Sequence, residues 1–251
     1  MAGLSHHLVS GVGVIVLALV HLWGNRLRFL DRAPRSIWLS ASGGVSVAYV
    51  FLHLLPELDR GHHMLQRAQP MGLDLSAYLL AMAGLTVFYG VERLACGHQR
   101  RHAAAGDPQL EHPEPSTRVV FALHVGAFAL YNWIIGVVLV QRDEVGLVKT
   151  SLFTLALAMH FLVNDYGLRA HYRQLYHGRG RWLLAGSAVA GWLAGATMEV
   201  PELALQSGVA LLAGGIIMNV MKEELPTERE SRFGAFAAGV AGYGLLLWLA
   251  R

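Results

Sequence analysis

The residues best suited to chemistry stand in one apolar stretch, MHFLVNDYG, where His160 and Asn164 are four apart and Asp165 follows. On a helix that spacing puts His160 and Asn164 on one face. Imidazole, amide oxygen and carboxylate can each ligate a divalent cation of the zinc or iron type. A buried hydrogen-bonded network without metal is the competing expectation. Upstream, His124 precedes Tyr131 and Asn132 by seven and eight residues, and Gly136 follows. Those separations return to the same helical side, so two neighbouring helices could share one polar pocket. For His124 alone, interhelical hydrogen bonding is the simpler expectation. A third group, Ser42, Ser46, Tyr49, His53 and Glu57, is spaced by four, three, four and four. It predicts a polar stripe facing a bundle interior, against the alternative that His53 and Glu57 sit at the membrane surface. Pro56 removes a backbone donor there and loosens the preceding turn. His21 and Asn25 are again one turn apart, near a run's end. Asn219, Lys222, Glu223 and Glu224 stand at another, where snorkelling accounts for Lys222 and Glu224.

These groups need elements to hold them, and the composition says which. Of 251 residues 54% are hydrophobic and 15% charged, against roughly 25% charged in soluble domains. Eight apolar runs are long enough to span a bilayer: 7–25, 37–56, 74–95, 118–140, 147–169, 182–199, 203–222 and 233–250. In lipid every backbone amide needs an internal partner, so the expected fold is all-α, a polytopic bundle of about eight transmembrane helices. It forms a single integral membrane domain, 1–251. The start lacks a basic n-region and reads as a retained first span.

Basic residues set the orientation. One set of alternate loops holds Arg26, Arg28, Arg32, Arg35, Arg100, Arg101, Arg118, Arg169, Arg173, Arg179, Arg181, Lys222, Arg229 and Arg232. The opposite set and both tails hold Arg60, Arg67, Arg142, Lys149 and Arg251, with Arg93 inside the third run. This bias puts both termini outside the cytoplasm, with a bacterial inner (plasma) membrane as the expected location. The stretch 97–117 reads as a flexible cytoplasmic loop. Its His98, His102 and His112 could collect metal loosely, although a solvated loop with incidental histidines is the simpler reading. The net charge of +3 is small and forms no stripe, which argues against nucleic acid as a partner. One cysteine, Cys96, excludes an intrachain disulfide. Gly186, Gly191, Gly195, Gly234, Gly239, Gly242 and Gly244 suit the sixth and eighth runs to close packing.

A weak internal repeat links GGVSVAYVFLHLLPEL in the second run with GGIIMNVMKEELPTE in the seventh, with one residue gapped. The two run in opposite senses, as in an inverted repeat of three helices on each side of a central pair.

With its HLLPE segment at His53–Glu57, its acid-flanked Leu-Pro after the seventh run and this layout, the chain resembles the ZIP (Zrt/Irt-like) family of divalent-metal transporters. The resemblance implies a 3+2+3 inverted-repeat bundle with a metal site between its fourth and fifth helices. The family's fourth helix usually reads H-N-x-x-D/E-G. Here YNWIIG keeps Asn132 and Gly136, with Tyr131 for the histidine and Ile135 for the bridging carboxylate. The fifth usually reads H-E-x-P-H/E-E-x-G. Here HFLVNDYG keeps His160 and Gly167, has Asn164 in place of the second ligand and Asp165 as a shortened match to the glutamate, and has Phe161 for the other carboxylate. Two charges that would neutralise a divalent ion are replaced, and such an ion is costly in a low-dielectric cavity without them.

The expected function is therefore transport of a divalent cation through a reduced site of His160, Asn164, Asp165 and Asn132. His53, Glu57, Tyr49, Ser46, His124 and Tyr131 would line its pathway. The cation is substrate, no organic cofactor is implied, membrane lipid is the surrounding partner, and a homodimer is an open arrangement. The alternative is a ZIP-like scaffold that moves no ion and binds a ligand, lipid or partner, with Tyr131, Trp133 and Phe161 filling the former pocket. An intramembrane zinc hydrolase would need a third ligand and a general base, and no H-E-x-x-H is present. The chain is not expected to be an enzyme.

Overall fold

The computed structural model describes residues 2–24, 37–68, 76–104, 115–141, 147–172, 175–224 and 232–249. These form eight helical segments, and no strand occurs among the described residues. The first, α1, spans Ala2–Trp23. Helix α2 runs continuously over 37–68, as Ile37–Tyr49, a π-helical turn Val50–Leu54, and Leu55–Ala68. Next come α3 (Ala77–Ala104), α4 (Pro115–Gln141) and α5 (Leu147–His171). A π turn, Tyr176–Gly180, leads into α6 (Arg181–Thr197). Helix α7 (Glu202–Asn219) closes in another π turn, Val220–Glu224, and α8 covers Phe233–Leu249.

All eight apolar runs are helices, and this is an integral-membrane helix bundle. Five helices among those described are long and apolar enough to cross a membrane, within 37–67, 77–94, 118–141, 147–169 and 202–222. The outside is correspondingly apolar. Val12, Trp38, Phe51, Val119 and Leu147 are among many large hydrophobic side chains that stand exposed. Water would penalise such a surface, and acyl chains would not.

Two sequence boundaries are corrected. Helix α2 does not stop at Pro56 but continues to Ala68, because the π turn absorbs the proline. A proline cannot donate to the carbonyl four residues earlier, so the ladder slips by one residue, with the Leu55 amide donating to the Val50 carbonyl. The stretch 97–117 is not all loop either. Residues 97–104 extend α3 and 115–117 begin α4, while 105–114 lie outside the described residues.

The bundle is held by crossings at which backbones touch. A Cβ on Gly44 of α2 would overlap the Phe236 carbonyl of α8, and one on Gly239 the Ala41 carbonyl. Gly214 of α7 and Gly84 of α3 meet Ala81 and Leu211 in the same manner, and Gly136 of α4 and Gly191 of α6 meet Ala188 and Trp133. Lipid offers no hydrophobic drive between helices, so such close van der Waals contact is what joins them. Of the glycines expected to pack, Gly191, Gly195 and Gly239 do so, whereas Gly186, Gly234 and Gly242 face open space.

The pairing has an internal symmetry. Exchange α1 with α6, α2 with α7, α3 with α8 and α4 with α5, and the main crossings map onto one another. The α2–α8 pair becomes α7–α3, and α4–α6 becomes α5–α1. Each half crosses at the double glycine of the repeat and then enters a π turn six residues before a Leu-Pro proline, Pro56 or Pro226. This is the 3+2+3 inverted arrangement.

Gly214→Ala should therefore cost about 1–3 kcal/mol by forcing α3 and α7 apart. Gly242→Ala, which adds a methyl in open space, should leave stability unchanged. Thermal unfolding of the two detergent-solubilised variants checks this, and equal midpoints would contradict the crossing described.

Candidate functional site

His21 is the centre of the buried polar core, although its position near the end of α1 gave it little weight in sequence. Its ring is 1% exposed and lies between α4 and α5. The Asn132 amide nitrogen donates to the Phe128 carbonyl at 2.8 Å, which fixes the amide and turns Oδ1 toward His21. The His21 Nε2–H therefore donates to Asn132 Oδ1 at 2.8 Å. Its Nδ1 faces both Asp165 oxygens at 2.9 Å, with one proton between ring and carboxylate. Wherever that proton sits, the pair carries no net charge. Phe161 stacks on the ring with centroids 4.7 Å apart. Asp165 faces inward, onto His21.

The second buried group lies on the other side of α5. The Asn219 amide of α7 donates to Asn164 Oδ1 at 3.0 Å, and the Asn164 amide donates to His160 Nε2 at 3.2 Å. Sequence neighbours on a helix point about 100° apart, so Asn164 reaches α7 while Asp165 reaches α1. The four residues expected to form one site are thus divided between two networks: Asn132 and Asp165 with His21, and His160 and Asn164 with Asn219. Tyr131 and Phe161 stand between them, their rings 5.9 Å apart and Tyr131 6.2 Å from His160. Both are fully buried. Trp133 is partly exposed and turned away, so it fills no central pocket.

A third cluster was missed from sequence. Glu92 of α3 is 6% exposed, faces His124 Nε2 at 3.4 Å and pairs with Lys222 of α7. The Tyr172 hydroxyl lies 3.2 Å from His124 Nδ1. His124 thus belongs to an ion-pair cluster rather than to the Asn132 pocket, and Lys222 does more than snorkel. The signal was available: a carboxylate within the apolar stretch 77–94, where ionisable groups are costly and functional by default.

The α2 stripe points inward as its spacing predicts. Ser42, Ser46 and Tyr49 are buried, and His53 and Glu57 half-buried. Ser46 Oγ has no hydrogen-bond partner among the described residues. Tyr49, His53 and Glu57 line a cavity of about 40 Å³ closed by Ile135, Leu157 and Ile216. Helix register orders these groups from the end holding both termini: His53 with Phe153, then Tyr131 with His160, then the two networks, then Glu92 with Lys222.

Chemically, the site offers a carboxylate, two imidazoles and three amides from α1, α4, α5 and α7. Asp165 and Asn132 each lie one hydrogen-bond length from His21, on opposite nitrogens of its ring, and His160 with Asn164 offers a second pair. No three His, Cys, Asp or Glu side chains form a shared metal-holding group among the described residues. His98 and His102 have no described side-chain positions, and Asn25 and His112 lie outside the described residues.

Removing one partner of a buried ion pair costs about 3–5 kcal/mol, because the other is left unmatched. His21→Leu and Asp165→Leu should each lower stability by that order, and the double variant should recover most of the loss. Additive losses in thermal unfolding would contradict the pairing.

The chain matches no protein-family model and no curated protein.

Proposed function

We propose that the chain is a ZIP-like carrier for a divalent metal cation of the zinc or iron type, seated in a bacterial inner membrane with both termini outside the cytoplasm. The observation that carries this reading is the run of polar groups through the bundle, buried along its middle. It begins at the small cavity beside His53 and Glu57, continues through His160, Asn164 and Asn219 with His21, Asn132 and Asp165 alongside, and ends at Glu92, His124 and Lys222. Buried ionisable groups are expensive in a membrane bundle, and a path for an ion is the commonest reason to keep them.

In the conformation described, these groups satisfy one another. Loading a cation means that Asp165 trades His21 for the metal and that Asn132 and His160 turn their donor atoms to it. The arrangement supports such an exchange, because the partners released are themselves ligands. With Ile135 and Phe161 at two carboxylate positions, Asp165 is left as the negative charge of this level, so binding is weaker than in a two-carboxylate site. Movement follows the inverted repeat: the two three-helix halves rearrange about the α4–α5 pair, as alternating access requires.

A second reading, a scaffold that moves no ion, is favoured by one observation. Tyr131 and Phe161 are 2% and 0% exposed and pack the space between the networks.

Uptake of zinc into vesicles carrying the purified protein and a trapped fluorescent chelator separates the two. The carrier predicts uptake above empty vesicles that falls by about tenfold or more in His160→Ala and in Asp165→Asn. Uptake unaffected by both changes would remove this site from the pathway. No uptake by the native chain, with no metal bound on elemental analysis, would favour the scaffold.

A further inference from the structure

The inverted repeat lets one end of the bundle be compared with the other. Gly44 of α2 abuts the Phe236 carbonyl and the Val240 amide of α8, and Gly214 of α7 abuts the Ala81 carbonyl and the Leu85 amide of α3. Gly239 and Gly84 complete the two crossings against Ala41 and Leu211. A single register therefore superposes both. In it Leu52 corresponds to Lys222 and Leu247 to Glu92, each eight residues past the crossing glycine of its own helix. The two pairs have different surroundings. Leu52 and Leu247 line a cavity of about 340 Å³ between α2, α8 and the first turns of α5, at the end that holds both termini. At its wall the Tyr243 hydroxyl donates to the Leu152 carbonyl at 3.2 Å. At the opposite end Glu92 bridges α3 to both α7 and α4. One carboxylate oxygen meets Lys222, and the other lies 3.4 Å from His124 Nε2. The Tyr172 hydroxyl, just past the end of α5, lies 3.2 Å from the other nitrogen of that ring.

One end is parted from the central pair, and the other is tied to it. The tie has chemistry suited to release. Parting buried charges is costly in a low dielectric and far less so once water reaches them. Such a contact is firm while its end is closed and weak once that end is open. The leucines at the mating position make no polar bond that opening would have to break. We propose that Glu92, with His124 and Lys222, is a latch that holds α4 against α3 and α7, and that its release closes the crevice at α5 as it opens the opposite end. The two movements are linked because α4 and α5 are repeat mates packed at the centre. What α4 leaves at one end, α5 approaches at the other. The inference deepens the carrier reading and rests on it, since alternating access is what requires a second state.

Distances between nitroxide labels, measured by pulsed electron resonance on the full chain in lipid nanodiscs without metal, read both ends. Cys96→Ser first removes the one native thiol. One label pair, Leu94→Cys with Val119→Cys, spans α3 and α4 beside the latch. The other, Leu249→Cys with Val148→Cys, spans α8 and α5 beside the crevice. All four side chains are exposed, so the labels displace no packing. In Glu92→Gln, and equally in His124→Phe, the first distribution should gain a component longer by about 5 Å and the second a shorter one, the scale of a one-turn helix shift. A variant that merely loosens the fold broadens or lengthens both, so opposed shifts are the signature. Distributions unchanged in both variants, or lengthening at the latch without shortening at the crevice, would each overturn the proposal. Zinc uptake by the native chain alongside unchanged distances would overturn the latch alone. No uptake and no bound metal would overturn the carrier reading and the latch with it.

Discussion

An imidazole buried between a carboxylate and an amide is the constraint around which this bundle is arranged. His21 cannot bond both Asp165 and Asn132 unless α1, α4 and α5 hold one depth and one rotation relative to each other. The geometry is demanding because all three side chains are buried. An unmatched member would be left charged or unsatisfied in a low dielectric, at a cost of several kcal/mol. The glycine crossings bring the helices close, but a helix can slide along a smooth apolar neighbour. Polar contacts between specific atoms set the register.

The same economy of charge runs through the bundle. Asp165 is balanced by His21, Glu92 by Lys222, and the amides of Asn164 and Asn219 serve His160 in one consistent direction of donation. A core whose charges are paired in this way is stable as it stands. It also binds no ion without breaking a bond already made. In the carrier reading that exchange sets both the selectivity and the weakness of the site, since the cation must offer Asp165 and the amides more than they offer one another.

The architecture was legible because lipid makes it so: a span needs a fixed length of apolar residues, and eight such lengths stood apart in the sequence. The repeat was legible too, because the double glycine creates the crossing in both halves and Pro56 creates the π turn in the first. Partners were not legible. His21 and Asp165 are 144 residues apart in the chain, and no periodicity reveals a contact of that range. Adjacent Asn164 and Asp165 read as one site, but a helix turns them toward different neighbours. Glu92 was hidden beside Arg93, whose exposed side chain can reach the surface while Glu92 cannot. The α3 extension over 97–104 was read as loop from its polarity, although a helix leaving the membrane has no need to be apolar.

The claim on which the functional account rests is that a cation can take the place of His21 at Asp165. A structure determined after saturation with cadmium, with the metal located by its anomalous scattering, tests it most directly. The account predicts a peak between α4 and α5 at roughly 2.0–2.5 Å from an Asp165 oxygen, with the His21 ring no longer bonded to that carboxylate. Saturated protein in which His21 still holds Asp165 and no peak lies between those helices would contradict it.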